Sequence, residues 1–283
     1  NGIEYAEMQA IAEVYHFMRV ALNMNNLEIA GHFEKWNQGE LQSYLMEITS
    51  QILKRPDLES ECSLVDLISD VALQKGTGKW TSQEALNLGV GIPSLTESVY
   101  VRYLSVKKDE RVRIACAYSD EVRNHLENTE ALLEDLEAAM IATKISIFAQ
   151  GFSLLKEASE KYGWNLNMAN VSMVWMNGCI IRARLLDSIH QAFIDSPNLE
   201  NLILNKDFIE KLSRCNPSWR RIVSNAVMFS IPVTALSSAL GYFDLMSTEK
   251  LPTNIIQAQR DYFGAHTYQR VDREGVFHTE WKK

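Results

Sequence analysis

"IVSNAVMFSIPVTALSSALGYF", residues 222–243, carries no charged side chain over a length that could cross a bilayer. Its details argue against that use. Pro232 interrupts the stretch, and four serines, an asparagine and a threonine are spread along it. A proline removes a backbone donor and breaks a helix, so the stretch reads as a buried core segment broken at Pro232.

The same stretch belongs to an internal repeat. Trp36-x-x-Gly39 followed by Leu41 returns as Trp175-x-x-Gly178 followed by Ile180, at an offset of 139 residues. That offset also carries Trp80 onto Trp219, Ile92-Pro93 onto Ile231-Pro232, Ser98 onto Ser237 and Tyr103 onto Tyr242. Agreement among several rare residues points to duplication. The uncharged stretch then matches residues 83–104, which hold Glu84, Glu97 and Arg102, as a helical unit in water would.

Proline is absent between Pro93 and Pro197, and apolar residues recur at three- and four-residue steps. Leu41, Leu45, Ile48 and Ile52 form one stripe, and Val122, Leu126, Leu133, Leu136 and Met140 another. Strand-like alternation is nearly missing. The expected fold is all-α: a large helical domain of two tandem copies of a multi-helix unit, about 1–120 and 121–259, with a C-terminal tail, about 260–283, that belongs to neither.

Composition narrows the function. A net charge of −8 and the lack of a basic run argue against nucleic acid as a partner, so an anionic ligand would need a local cluster of Lys and Arg. Cys62, Cys116, Cys179 and Cys215 lack paired spacing, which suits reduced thiols used in packing in a cytoplasmic protein. The histidines form no metal-ligand pattern, and neither a dinucleotide fingerprint nor a nucleophile elbow is present. The chain opens at Asn1-Gly2 with no leader, so a preceding part is expected to have been removed or left out.

Three places carry candidate chemistry. "QKGTGKWTSQEAL", residues 74–86, is not a P-loop, because Leu73 and Trp80 stand where that motif needs glycine and a hydroxyl. Thr81 and Glu84 read as a capping box, which would start a helix just after the loop. On pattern alone the loop is either a lysine-bearing turn or an anion cradle. Arg102, whose counterpart in the second copy is Gly241, continues the Leu95, Val99 face of a helix capped by Ser94 and Glu97. It either snorkels outward or is held inward by an anion. In the first helix, Met8, Ile11, Ala12, Tyr15, Met18 and Leu22 form an inward stripe that projects back to Tyr5, Glu4 and Asn1. Glu4 is then either a dipole-favoured residue at solvent or an acid at the mouth of a cleft.

The strings "NGIEYAEMQ" (1–9), "QKGTGKWTSQEAL" (74–86), "GCIIRA" (178–183), "IPVTALSSAL" (231–240) and "LPTNIIQAQRDYFGAHTYQR" (251–270) run in order almost end to end. Together they resemble the helical C-terminal part of the 6-phosphogluconate dehydrogenase family. The resemblance implies an NADP-dependent oxidative decarboxylation of 6-phospho-D-gluconate to ribulose 5-phosphate and CO2. Carried over by residue, it makes Glu4 the acid that protonates an enediol and Asn1 a contact to substrate hydroxyls. Tyr5, Lys75, Thr77 and Arg102 would hold the phosphate. Arg260 and His266 would reach in from the tail of a partner subunit, so that a homodimer is the working unit.

The family's dinucleotide-binding domain would lie before Asn1. Two departures stand out: Ala6-Glu7 where the family more often has Gly-Asp, and Met176-Asn177 where it has Arg-Gly. The alternative is a helical fragment that dimerises or regulates and does no chemistry. Retention of Glu4, Lys75, Arg102, Arg260 and His266 together counts against it.

Overall fold

The apolar spacing closes into helices throughout the computed structural model, which describes residues 1–118, 126 and 130–281. The first seven are α1 (Gly2–Val20), α2 (Asn26–Trp36), α3 (Tyr44–Lys54), α4 (Leu64–Leu67), α5 (Thr77–Leu88), α6 (Pro93–Ser105) and α7 (Lys108–Ala117). They are followed by α8 (Glu130–Tyr162), α9 (Met168–Met176), α10 (Leu185–Asp195), α11 (Lys206–Met228), α12 (Thr234–Met246) and α13 (Thr253–Gly264). Among the described residues the only strands are β1 (Tyr268–Gln269) and β2 (Val276–Phe277). The fold is all-α. The chain divides into two compact units, Asn1–Tyr242 and Phe243–Lys283.

Within the first unit the 139-residue offset places α1, α2, α3, α5 and α6 over α8, α9, α10, α11 and α12, in the same order. The two series meet at a short antiparallel bridge between Ser43 and Ala183. There Tyr44 N–H donates to Arg182 O at 3.1 Å and Arg184 N–H donates to Gln42 O at 2.9 Å. Burial is less symmetric than sequence: Trp219 is fully buried, while its counterpart Trp80 is 61% exposed.

Each copy also caps the other. α12 starts after Pro232, and the buried N–H groups of its first turn, which have no partner within the helix, are met by the buried carboxylate of Glu13 on α1. Glu13 Oε1 accepts from Ala235 N–H at 2.8 Å and from the Thr234 hydroxyl at 3.0 Å, and Oε2 accepts from Leu236 N–H at 3.0 Å. Burial pushes the Glu13 carboxyl up, and these bonds offset that only in part. In the reverse direction Gln150 of α8 accepts from Ser94 N–H at 2.9 Å at the start of α6, and its amide donates to Ser94 Oγ at 2.9 Å. A buried helix end must find such partners because water cannot reach it.

Several sequence expectations change here. Ser94 and Glu97 do not form a capping box, since α6 begins at Pro93 and its cap comes from a distant helix. The inward face of α1 is also broader than a single stripe: Met8 and Ala12 are exposed, whereas Ala6, Glu7, Ala10, Val14 and Phe17 are buried with Ile11 and Met18. A helix enclosed by α5, α6 and α8 cannot be read as one-sided. Ile52 is 47% exposed, and Met46 and Leu53 take its place in the core face of α3. Leu133, Leu136 and Met140 are buried, while Val122 lies outside the described residues. Of the cysteines only Cys215 is buried; Cys62 and Cys116 are exposed, so packing does not account for them. Among the described residues one helix, α8, is long and apolar enough to span a bilayer, but 78% of its most apolar window is buried inside the protein.

The second unit folds around one carboxylate. Asp261 of α13 is fully buried. Its Oδ1 accepts from Thr267 N–H and His278 Nδ1, each at 2.9 Å, and its Oδ2 accepts from Thr279 N–H at 3.0 Å and Trp281 Nε1 at 2.9 Å. Burial alone would raise this carboxyl, but the four hydrogen bonds outweigh it and hold the group at about 2, against an ordinary 3.8.

Two outcomes are expected. Glu13→Ala strands the first N–H groups of α12 and should cost about 1–3 kcal/mol in chemical denaturation; a loss below a few tenths would contradict the cap. Because the Asp261 carboxyl is depressed, its contribution is complete above pH 3.8 and is lost as pH falls toward about 2. The protection of the Trp281 indole N–H, measured as its exchange rate against the intrinsic rate at each pH, should fall across that window and stay constant above it.

Candidate functional site

The site is built on the first turn of α1, which three glycines hold against its neighbours. A Cβ on Gly2 would sit 2.6 Å from Thr81 Cγ2 of α5, and one on Gly78 of α5 would sit 2.5 Å from the Tyr5 ring. A Cβ on Gly151 of α8 would overlap the Ile3 side chain. Only glycine permits these approaches, and together they set where Asn1, Glu4 and Tyr5 stand. Tyr5 N–H donates to Asn1 O at 3.1 Å, which closes the turn. Tyr5 is buried, Glu4 is half-buried and Asn1 is exposed.

Arg102, on α6, converges on this turn. Its guanidinium lies 4.5 Å from the centre of the Tyr5 ring. Nη1 donates to Leu73 O at 3.1 Å and Nη2 contacts Met8 Sδ at 3.5 Å. One half-buried cation therefore stacks on Tyr5 and ties down the strand of chain leading into Lys75.

The loop itself turns at Gly76, whose φ of +99° is left-handed and so favours glycine. α5 then begins at Thr77, with Gly76 at its cap position, five residues earlier than the Thr81–Glu84 capping box implies. Thr81 is no cap: its hydroxyl donates back to Thr77 O at 3.1 Å, inside the helix. The change has a chemical consequence. The free N–H groups and the positive dipole end now lie at Thr77 and Gly78, beside Lys75 and the Tyr5 ring. Lys75 is exposed, Thr77 half-buried, and Lys79 exposed on the following residues.

The arrangement brings Arg102, the Tyr5 ring and the start of α5 together at the turn that carries Glu4, with Lys75 and Thr77 on the residues that lead into and open that helix. Such a set suits a dianionic oxygen group held near a carboxyl group. Asn1 also borders a mostly apolar cavity of about 230 Å³, walled by Thr81, Leu95, Leu154, Trp164 and Trp175. Arg260 and His266 belong to the second unit, and both are exposed there.

One feature under the turn escaped the sequence reading. Glu7 and Lys144 form an ion pair at 2.8 Å with side chains only 2% and 3% exposed. Burial pushes the Glu7 carboxyl up, and the neighbouring ammonium offsets this only in part. Its position three residues after Glu4, among Ile3, Ala6 and Ala10, was the signal available: a carboxylate on a closely packed face needs a partner.

A family model described as 6-phosphogluconate dehydrogenase, C-terminal domain, matches residues 1–281. The decarboxylating 6-phosphogluconate dehydrogenase of Lactococcus lactis subsp. lactis is 47% identical over 281 residues, covering 99% of this chain and 60% of the relative. The NADP(+)-dependent decarboxylating enzyme of Bacillus subtilis is 48% identical over 284 residues, covering 100% and 61%. A solved Plasmodium falciparum 6-phosphogluconate dehydrogenase, described in apo form and in complexes with NADP+ and with 6-phosphogluconate, superimposes with a TM-score of 0.97 at 42% identity. That match covers 99% of this chain and 61% of the other. The chain thus spans about 60% of the length of the relatives it matches.

If the glycine contacts set the turn, Gly78→Ala must displace the Tyr5 ring and should cost about 1–3 kcal/mol as an overpacking defect. Gly31→Ala, where an added Cβ meets nothing, should be neutral or stabilising by roughly 0.5–1 kcal/mol. Equal denaturation midpoints for the two variants would contradict the close approach.

Proposed function

Since the chain belongs to the 6-phosphogluconate dehydrogenase family, as its C-terminal domain, we propose that it is the substrate-binding and dimerisation part of such an enzyme. The reaction assigned to the complete protein is oxidation of 6-phospho-D-gluconate at C3, loss of CO2 from the β-keto acid and protonation of the enediol to ribulose 5-phosphate. The observation that carries this reading is the stacking of Arg102 on Tyr5 next to the Gly76–Thr77 helix start.

In this reading Arg102, Lys75, Thr77 and the Tyr5 hydroxyl bind the substrate phosphate, with Arg260 and His266 supplied by the tail of a second copy. Each charged hydrogen bond contributes roughly 1.5–3 kcal/mol, so these few cations suffice for a tightly held phosphate despite a net charge of −8. Asn1 orients the hydroxyls near the reacting carbons. Glu4, one residue before Tyr5, delivers the proton to the enediol carbon and is left as a carboxylate. NADP, held mainly by a dinucleotide-binding domain outside this chain, supplies the hydride acceptor. The tail leaves Ile255, Ile256, Phe263 and Val276 more than half exposed, the apolar surface that a homodimer would cover. A cytoplasmic location fits these assignments and the reduced thiols.

In the complete protein 6-phosphogluconate should raise the melting temperature, and Arg102→Ala should remove most of that rise; an unchanged rise would sink the phosphate assignment. Glu4→Gln should lower kcat by about 10²–10⁴-fold, the usual range for a general acid, with KM nearly constant. Undiminished turnover in that variant would remove Glu4 from the mechanism.

A further inference from the structure

The tail carries more order than an exposed arginine and histidine need. Gln257 and Asp261 stand one turn apart on α13 and grip the same loop. Gln257 Nε2 donates to Thr267 O at 2.6 Å, and Thr267 N–H donates to Asp261 Oδ1 at 2.9 Å. Both backbone polar groups of Thr267, the residue after His266, are therefore pinned. The same Gln257 amide accepts from Arg260 Nη1 at 2.9 Å, so its two ends connect the guanidinium to the histidine loop.

The loop needs this grip. Ala265 and Thr267 flank His266 with φ of +49° and +61°, a left-handed conformation that side chains with a Cβ adopt at a cost. Gly264 makes room for the imidazole: a Cβ there would sit 2.7 Å from His266 Cδ2. The ring then rests edge-on against Phe263, with centroids 6.0 Å apart. Two strained residues, one close approach and one bridging amide hold His266 and Arg260 in a single arrangement. An unrestrained arginine would lose rotamer freedom on binding; one already held loses less, and the affinity gain appears without any added contact to ligand.

We propose that Gln257 and Asp261 are positioning residues that preassemble Arg260 and His266 into a clamp for a phosphate monoester. This rests on the reading of Arg260 and His266 as substrate ligands. Asp261 also supports the whole tail, whereas Gln257 is half-buried and spends both its groups on the clamp, so Gln257 is the position to test.

The test uses the complete protein with Arg260→Ala as reference. Gln257→Leu keeps the size and removes both bonds; it should raise KM for 6-phosphogluconate about tenfold, the effect of one charged hydrogen bond, with kcat and melting temperature little changed. Gln257→Glu keeps an acceptor for Arg260 and should recover part of the loss. An unchanged KM in Gln257→Leu, beside a raised KM in Arg260→Ala, would overturn the inference and leave the ligand reading intact. An unchanged KM in Arg260→Ala would overturn both. A KM change that appears only with a fall in melting temperature would mark Gln257 as merely structural and overturn its positioning role.

Discussion

Three glycines pinch the first turn of α1. Gly2 meets Thr81, Gly78 meets the Tyr5 ring and Gly151 meets Ile3, so backbone and side chain come closer than any Cβ would allow. The candidate chemistry depends on this constraint, because Asn1, Glu4 and Tyr5 occupy that turn and the loop with Lys75 and Thr77 opens the helix that presses on it. Close packing leaves the turn few alternative positions, which is what a site needs if its groups are to be aligned before a ligand arrives.

Duplication supplies the frame around the turn. Each copy's first helix closes the start of a later helix in the other copy, α12 or α6: Glu13 meets the N–H groups at Ala235 and Leu236, and Gln150 meets Ser94. Neither unit end could be buried without its counterpart, so the two copies are one folding problem. The copies differ at the candidate site. Gly241 stands at the position of Arg102, and Arg214, at the position of Lys75, is already engaged by Glu40 at 2.7 Å. The second copy has kept the helices and has no open counterpart of the cation pair.

Much of the frame was legible in the sequence, and the exceptions share a cause. The helical class follows from apolar spacing and the repeat from rare residues recurring at a fixed offset, while Glu4, Arg102 and the 74–86 loop stand out as candidates by their pattern. Both capping boxes failed because a local motif cannot know that α5 starts from a left-handed Gly76, or that α6 is capped by Gln150, 56 residues away. The face of α1 was misjudged because amphipathicity describes a helix with one side in water, and this helix has neighbours on several sides. Glycine close approach and the fourfold use of Asp261 exist only once distant segments have met, so no window of sequence contains them.

On the proposed reading, the turn, the Gly76–Thr77 helix start and Arg102 form a preformed cradle for a phosphate. A crystal structure of the complete protein with 6-phosphogluconate bound tests it directly. The phosphate should lie within hydrogen-bonding distance of Lys75, Thr77, Tyr5 and Arg102, with the first turn of α1 unmoved against Gly78 and Gly151. A phosphate bound elsewhere, or a turn that has to leave its glycine contacts to reach the substrate, would contradict it.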